Sequence, residues 1–262
     1  HPFINSHVNN QFDYLPGPDK HPLHYRLTPP LNPTGKHPVI VYVYGGPGAQ
    51  KVRREWSPLL LQLFAHHGFG VLELDNRGST NRGRDFEAPI YRAMGSVEVD
   101  DQLLGIAMLK DVVWADLSNL GIFGHSYGGY MTLMSLCKAP NVFKAGVAVA
   151  PVSDWRLYDS HYTERYMGLP EENAEAYQQS SVIAHLAKLS NPLLLMHGMA
   201  DDNVLFSHST LIMSELQKLG KTFDLMTYPG AKHSMQERHV SIHRFTTILE
   251  FFTRHLQAGI NV

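Results

Sequence analysis

The sequence predicts an α/β fold with a mostly parallel central sheet and helices on both faces. Short apolar runs alternate with helix-period segments along most of the chain, and the runs are apolar throughout rather than at every second residue. Strands buried on both faces read this way, and sheets covered by crossover helices are where they occur. A third sign is the glycine-rich stretch GIFGHSYGGY at 121–130, which joins an apolar run directly to a helical one.

The elements follow in order. Residues 1–37, rich in proline and histidine, are expected to form an N-terminal edge segment, with HPLHYRLTPP (21–30) as its one strand candidate; residues 38–262 form the main domain. VIVYVY (39–44) reads as the first core strand and SPLLLQLFAHHG (57–68) as a helix stopped by Gly68. FGVLEL (69–74) is a strand, SVEVDDQLLGIAML (96–109) a helix and LGIF (120–123) a strand. Tyr130, Met131, Leu133, Met134 and Leu136 then suit a buried helix, and AGVAVA (145–150) a strand. LLLM (193–196) and FDLMTY (223–228) are strands around the helix HSTLIMSELQKLG (208–220), which Gly220 stops. In the last helix Phe245, Leu249, Phe252 and Leu256 are expected on one face. There is no internal repeat and no low-complexity tract.

Length does not decide the number of domains, since α/β folds reach 262 residues as one unit. With 44% apolar and 18% charged residues the chain has the composition of a folded protein with a large core. A formal charge of -2 without any cluster of lysine and arginine argues against nucleic acid or an anionic membrane surface as a partner. Cys137 is the sole cysteine, so no internal disulfide can form, and its apolar setting suits an inert packed thiol. This fits the bacterial periplasm or secretion from a bacterium, with the cytoplasm as the alternative. No run reaches the 18 apolar residues of a membrane span, and the opening HPFINSHVNN lacks the layout of a signal peptide, so a processed or cut start is expected.

The chemistry centres on Ser126. Gly124-His125-Ser126-Tyr127-Gly128 fits G-x-S-x-G between a strand and a helix, the setting of a nucleophile elbow on an α/β-hydrolase fold. The turn is so tight that glycine is needed on both sides of the serine. A serine hydroxyl is a weak nucleophile, so it needs a histidine to take its proton and a carboxylate to orient that histidine, in the order serine, acid, histidine at strand ends. Asp201, with Asp202 as its rival, follows LLLM; His233 follows FDLMTY. Its position after a strand singles out His233 from the 16 histidines. His239 and His243 have metal-ligand spacing but no third ligand, which favours surface positions. With no H-E-x-x-H, P-loop or G-x-G-x-x-G, no metal or cofactor is implied.

Tyr42-Val43-Tyr44-Gly45-Gly46-Pro47, Asp75-Asn76-Arg77-Gly78-Ser79, Ser126-Tyr127-Gly128-Gly129-Tyr130, Ala150-Pro151-Val152-Ser153, the run YTERYMG (162–168) and the run HGMADDNV (197–204) stand in the order of a known family. Together they resemble the catalytic domain of dipeptidyl peptidase IV-type enzymes in the prolyl oligopeptidase family of serine peptidases, from about residue 23 to about residue 256. The resemblance implies a serine exopeptidase that releases N-terminal dipeptides with proline or alanine before the scissile bond. It prefers Asp201 to Asp202 beside Ser126 and His233, and assigns the oxyanion hole to the backbone N–H of Tyr127 and the hydroxyl of Tyr44. Spacing alone would make Trp155, Tyr158, Tyr162 and Tyr166 one face of a buried helix. The resemblance instead makes Val152, Trp155, Tyr158 and Tyr162, with Tyr127 and Val204, the wall of a proline pocket, and Asn203 the partner of the preceding carbonyl. It implies peptide substrates, an N-terminal β-propeller in the full-length protein, and compatibility with a homodimer. Two departures stand out: His125 occupies a position where these relatives usually carry tryptophan, and no segment here supplies the propeller. The alternatives are an acylaminoacyl peptidase or carboxylesterase on the same fold, and an inactive interaction module.

Overall fold

The computed structural model describes residues 6–256. Its strands, in chain order, are β1 (Gln11–Pro16), β2 (Pro22–Thr28), β3 (His37–Tyr42), β4 (Gly70–Leu74), β5 (Ala115–His125), β6 (Ala145–Val149), β7 (Leu193–Gly198) and β8 (Asp224–Tyr228). They form one sheet in the order β1-β2-β4-β3-β5-β6-β7-β8. From β4 to β8 every pairing is parallel, whereas β1 and β2 are antiparallel to each other and β2 is antiparallel to β4. The α/β-hydrolase class and the mostly parallel sheet are as expected.

The helices that matter here are α1 (Leu59–His66), α2 (Arg84–Glu87), α3 (Val97–Met108), α4 (Tyr127–Lys138), α5 (Ser160–Met167), α6 (Ala174–Ser180), α7 (Ser207–Lys218) and α8 (Arg238–Leu256). Alternation along each strand divides the core in two. Val39, Val41, Ile122 and Leu195 pack with Val99 of α3, Met131 and Met134 of α4 and Ile212 of α7. Ile40, Val71, Phe123 and Met196 face the other way, onto Leu61 and Phe64 of α1 and Ile248 and Phe252 of α8. Burying each such side chain contributes roughly 1.5–3 kcal/mol, so a sheet covered on both faces can be apolar at every position. β6 is: all five of its residues are buried.

Three expectations need correction. β2 is not an edge strand, because β1 lies outside it; β1 (QFDYLP) is largely exposed and gave no apolar run to detect. Residues 11–28 thus supply two strands at one edge of the sheet. β5 spans eleven residues instead of four, its polar start at 116–119 being tied up by hydrogen bonds from Ser118 and Asn119 to Asp116. Finally, Trp155 to Tyr166 is not one helix: Trp155–Leu157 is a single 3-10 turn, and α5 starts anew after Asp159, whose carboxylate accepts the N–H of Tyr162. In α8, as expected, Phe252 and Leu256 are buried and Phe245 and Leu249 pack partly buried against the same core. Gly68 and Gly220, at φ 81° and 65°, do follow the helices they were expected to stop.

The order β4-β3-β5 is what positions the site. The chain first adds strands on one side of β3 and then on the other, so the loops leaving β3 and β5 diverge and open a crevice at their carboxyl ends. Tyr44 and Ser126 leave the sheet there.

Candidate active site

Ser126 occupies the turn between β5 and α4 with φ 61° and ψ -121°, a conformation that an L-residue adopts only under constraint. The constraint is local packing. A Cβ on Gly124 would lie 2.2 Å from the carbonyl oxygen of Gly128, and one on Gly128 would lie 2.3 Å from that of Val43. Strand, turn and helix can approach so closely only with glycine at both places. Tyr127 is the first residue of α4, and the first N–H groups of a helix have no intrahelical partner, so its N–H is available beside the serine.

Asp201 and His233 come from the turns after β7 and β8. The Nδ1 of His233 lies 2.7 Å from Oδ2 of Asp201. Facing a carboxylate, Nδ1 carries the proton, and Nε2 is left as an acceptor. Ser126 and His233 share a cavity of about 360 Å³ with Tyr42, Val43, Tyr44, Lys51, His125, Asn203 and Ser234. Asp202, one residue on, is exposed and pairs with Lys232 at 2.7 Å, so it points away from the histidine.

Every acceptor position of Asp201 is used. Oδ1 takes the N–H groups of Asn203 and Val204, at 2.9 and 3.0 Å, while Oδ2 also takes Nε2 of buried His197 at 3.0 Å. That nitrogen sits 2.8 Å from the carbonyl of Val204 as well, so it must be the protonated one; Nδ1 then accepts from Ser209 at 2.7 Å. Burial alone would raise the pKa of Asp201, but the hydrogen bonds from His197, His233 and Asn203 outweigh it and hold the carboxyl well below its usual range. The acid stays ionised wherever a histidine can be neutral.

On the other side of Ser126 lies a smaller pocket of about 90 Å³, lined by Tyr44, Tyr127, Val152, Trp155, Tyr158, Tyr162 and Asn203. Although no single helix carries them, the rings interlock: Trp155 stacks on Tyr162 at 6.0 Å and meets Tyr158 edge-on at 5.8 Å. Asp154 fixes the turn by accepting from Arg156 and Ser181. Burial and the nearby Tyr166 hydroxyl push the pKa of Tyr44 up, which keeps it a hydrogen-bond donor. The Tyr158 hydroxyl donates to Oδ1 of Asn203 at 2.6 Å, turning the amide NH₂ of Asn203 outward as a free donor. Val204 is completely buried and belongs to the core cluster of Val152 and Trp155, so it backs the pocket rather than lining it.

A serine on a strained elbow, with a helix N-terminus behind it and a histidine held by a carboxylate in the same cavity, has the layout of an acyl-transfer centre. Comparison with known proteins agrees with the geometry. A sequence profile of the prolyl oligopeptidase family matches residues 55–259. The chain belongs to the prolyl oligopeptidase family. Among its relatives in that family, mouse dipeptidyl peptidase 8 is 38% identical over 237 residues, 88% of this chain and 27% of that protein. Dipeptidyl peptidase 4 of Trichophyton equinum is 38% identical over 208 residues, 77% of this chain and 27% of that protein. The crystal structure of Porphyromonas gingivalis dipeptidyl peptidase 4 superposes with a TM-score of 0.90 at 35% identity, covering 95% of this chain and 36% of that one. That of a putative dipeptidyl aminopeptidase IV from Bacteroides ovatus gives 0.94 at 35%, covering 98% and 37%. The chain thus spans about a quarter of the length of the curated relatives it matches.

Several supporting residues of this prolyl oligopeptidase site escaped the sequence reading. His197 holds Asp201. Glu98, fully buried on α3, accepts the Tyr127 hydroxyl at 2.6 Å and the N–H groups of Gly95 and Ser96, and so fixes the ring that floors the small pocket. Asp75 accepts the N–H groups of Lys51 and Val52, and Asn76 donates to the Gly45 carbonyl; together they hold the loop that begins at Tyr44. The motif Asp75-Asn76-Arg77-Gly78-Ser79 was the available signal for this pair. Cys137 is buried and its thiol is pushed up to about 12 by burial, as a packed, inert thiol would be. His239 and His243 are exposed, and no cluster of metal-ligating side chains occurs among the described residues. No helix among those residues is long and apolar enough to cross a membrane.

Proposed function

We propose that this chain is the catalytic domain of a serine exopeptidase that releases N-terminal dipeptides with proline or alanine before the scissile bond. The observation that carries the reading is the small aromatic pocket opening directly beside Ser126. Flat rings on three sides suit a pyrrolidine ring or a methyl group and leave no room for a large side chain.

In this reading Ser126 Oγ attacks the carbonyl of the residue seated in the pocket while Nε2 of His233 takes its proton. The positive charge on the imidazole is stabilised by ionised Asp201, and the oxyanion receives hydrogen bonds from Tyr127 N–H and Tyr44 OH. His233 then protonates the departing amine, the C–N bond breaks, and an acyl-enzyme remains. Water, activated by the same histidine, releases the dipeptide. The outward NH₂ of Asn203 binds the carbonyl ahead of the pocket residue.

No carboxylate lines the small pocket, so nothing there binds the free amino terminus of a substrate. We therefore assign that role to a β-propeller outside these 262 residues, and make residues 38–262, with the strands before them, the catalytic unit. Comparing kcat/KM for a Gly-Pro chromogenic amide with those for short acyl esters and acetylated amino-acid amides tests the reading. Preference for the Gly-Pro amide supports it; preference for the ester or the acetylated amide would assign the chain to a carboxylesterase or an acylaminoacyl peptidase, and inertness towards all three to an interaction module.

A further inference from the structure

His233 sits in the loop 229–237 between β8 and α8, and the two halves of that loop are held differently. Before His233 the loop is tied to the acid: Ala200 N–H donates to the Ala231 carbonyl at 3.1 Å, and Asp201 itself takes Nδ1 of His233 at 2.7 Å. After His233 the chain turns through Met235, which is buried in the core at φ 47°, a conformation that a residue with a side chain keeps only where its surroundings hold it. Among the described residues one side chain hydrogen-bonds to this second half. Nη1 of Arg244, on α8, donates to the carbonyl of Ser234 at 3.2 Å.

We propose that Arg244 is a positioning residue: its guanidinium clamps the carbonyl next to the catalytic base and so keeps the base loop docked on α8. The inference rests on the serine peptidase reading of the site. What makes it specific is that the arginine is unfavourable where it stands. Arg244 is only 9% exposed, and no carboxylate pairs with it among the described residues. Its Nε is buried without a hydrogen-bond partner. Burial lowers its pKa, opposed by the nearby hydroxyls of Tyr228 and Tyr42, and its Cζ lies 4.6 Å from the ring centroid of Phe245. A buried cation without an acid weakens the fold, so a residue serving stability alone would be better replaced by an apolar chain of similar length. The hydrogen bond that this cation does make goes to Ser234, which lines the cavity holding Ser126 and His233.

Stability and catalysis should therefore separate on substitution. Arg244→Met keeps an apolar stem beside Phe245 and removes both the donor and the charge, so nothing of the clamp remains. Arg244→Lys keeps a cation that can donate to the same carbonyl. For Gly-Pro amide hydrolysis by the 262-residue chain, Arg244→Met should lower kcat about 10- to 100-fold, as expected for a misplaced catalytic group, with KM within about twofold and Tm unchanged or higher. Arg244→Lys should recover kcat to within about fivefold of the parent, because a charged donor again meets the carbonyl. The downfield NMR signal of the His233 Nδ1 proton, which does not depend on turnover, should exchange faster with water in Arg244→Met and be restored in Arg244→Lys. An unchanged kcat or an unchanged proton signal in Arg244→Met would overturn the proposal, as would a folded Arg244→Lys no better than Arg244→Met. Should the parent chain be inactive, the serine peptidase reading fails, while the proton signal still decides whether Arg244 positions His233.

Discussion

The two hollows that meet at Ser126 are built in opposite ways. On one side aromatic rings close a space of about 90 Å³, each braced from behind: Tyr127 by Glu98, Trp155 by the Asp154 turn, Tyr158 by Asn203. On the other, a cavity of about 360 Å³ has mixed walls, Tyr42, Val43 and Tyr44 standing beside Lys51, His125, His233 and Ser234. A tight, braced wall selects by shape, because a side chain that does not fit must displace several anchored rings at once. A wide cavity of mixed lining selects little. Under the proposed peptidase function, the contrast teaches that the site would choose its substrate by what it acylates and tolerate varied leaving groups.

Removing what both sides share should have the largest effect. Ser126→Ala is expected to lower kcat by about 10⁶-fold, since the triad acts as a unit; steady-state hydrolysis of a Gly-Pro amide measures it. Next comes the neighbouring acidic pair. Asp201→Asn should cost about 10⁴ in kcat through loss of the orienting charge, while Asp202→Asn, which only frees Lys232, should stay near the parent. The reverse order would mean that the wrong neighbour had been chosen.

Changes confined to the narrow side should be smaller. Tyr44→Phe removes one oxyanion donor and should cost about 10²–10³ in kcat. Its raised pKa means that the phenol remains protonated as pH rises through the ordinary tyrosine range, so the ratio of parent to variant should be the same at pH 7 and pH 9. A ratio that shrinks towards pH 9 would show Tyr44 ionising and donating no proton. Acid sensitivity has a sign as well. The depressed pKa of Asp201 keeps it charged as pH falls through the usual carboxylate range, so Asp201 should add no inflection to a kcat profile taken from pH 8 down to pH 5.

The smallest difference is expected for the substrate's amino terminus, whose binding the proposed function assigns to a β-propeller. Free and acetylated Gly-Pro amides should be cleaved with similar kcat/KM by these 262 residues. A preference above about 10²-fold for the free amine, worth about 2.7 kcal/mol, would place an amine-binding acid within this chain.

How much of this was legible in the sequence depended on the length scale of each signal. The elbow was legible because its constraint is local: Gly124 and Gly128 are needed by backbone only a few residues away. The parallel strands were legible because burial on both faces leaves an unbroken apolar run. β1 was not, since an exposed edge strand has no such run, and the break between Trp155 and α5 was hidden by a spacing of aromatic residues that imitates a helix. Asp201 and Asp202 could not be separated by spacing alone, because what distinguishes them is contact with His197 and His233, four residues before and 32 residues after Asp201. Glu98 was hidden for a different reason. In an amphipathic pattern a glutamate reads as a solvent-facing position, and only the tertiary fold sets it beneath Tyr127.

The most direct test of the account is where a mechanism-based acylating reagent lands. An organofluorophosphonate should label the chain stoichiometrically, peptide mapping should place the adduct on Ser126 alone, and a Gly-Pro dipeptide amide should slow the labelling by competing for the aromatic pocket. An adduct on any other serine, or labelling at Ser126 that the prolyl amide does not slow, would contradict it.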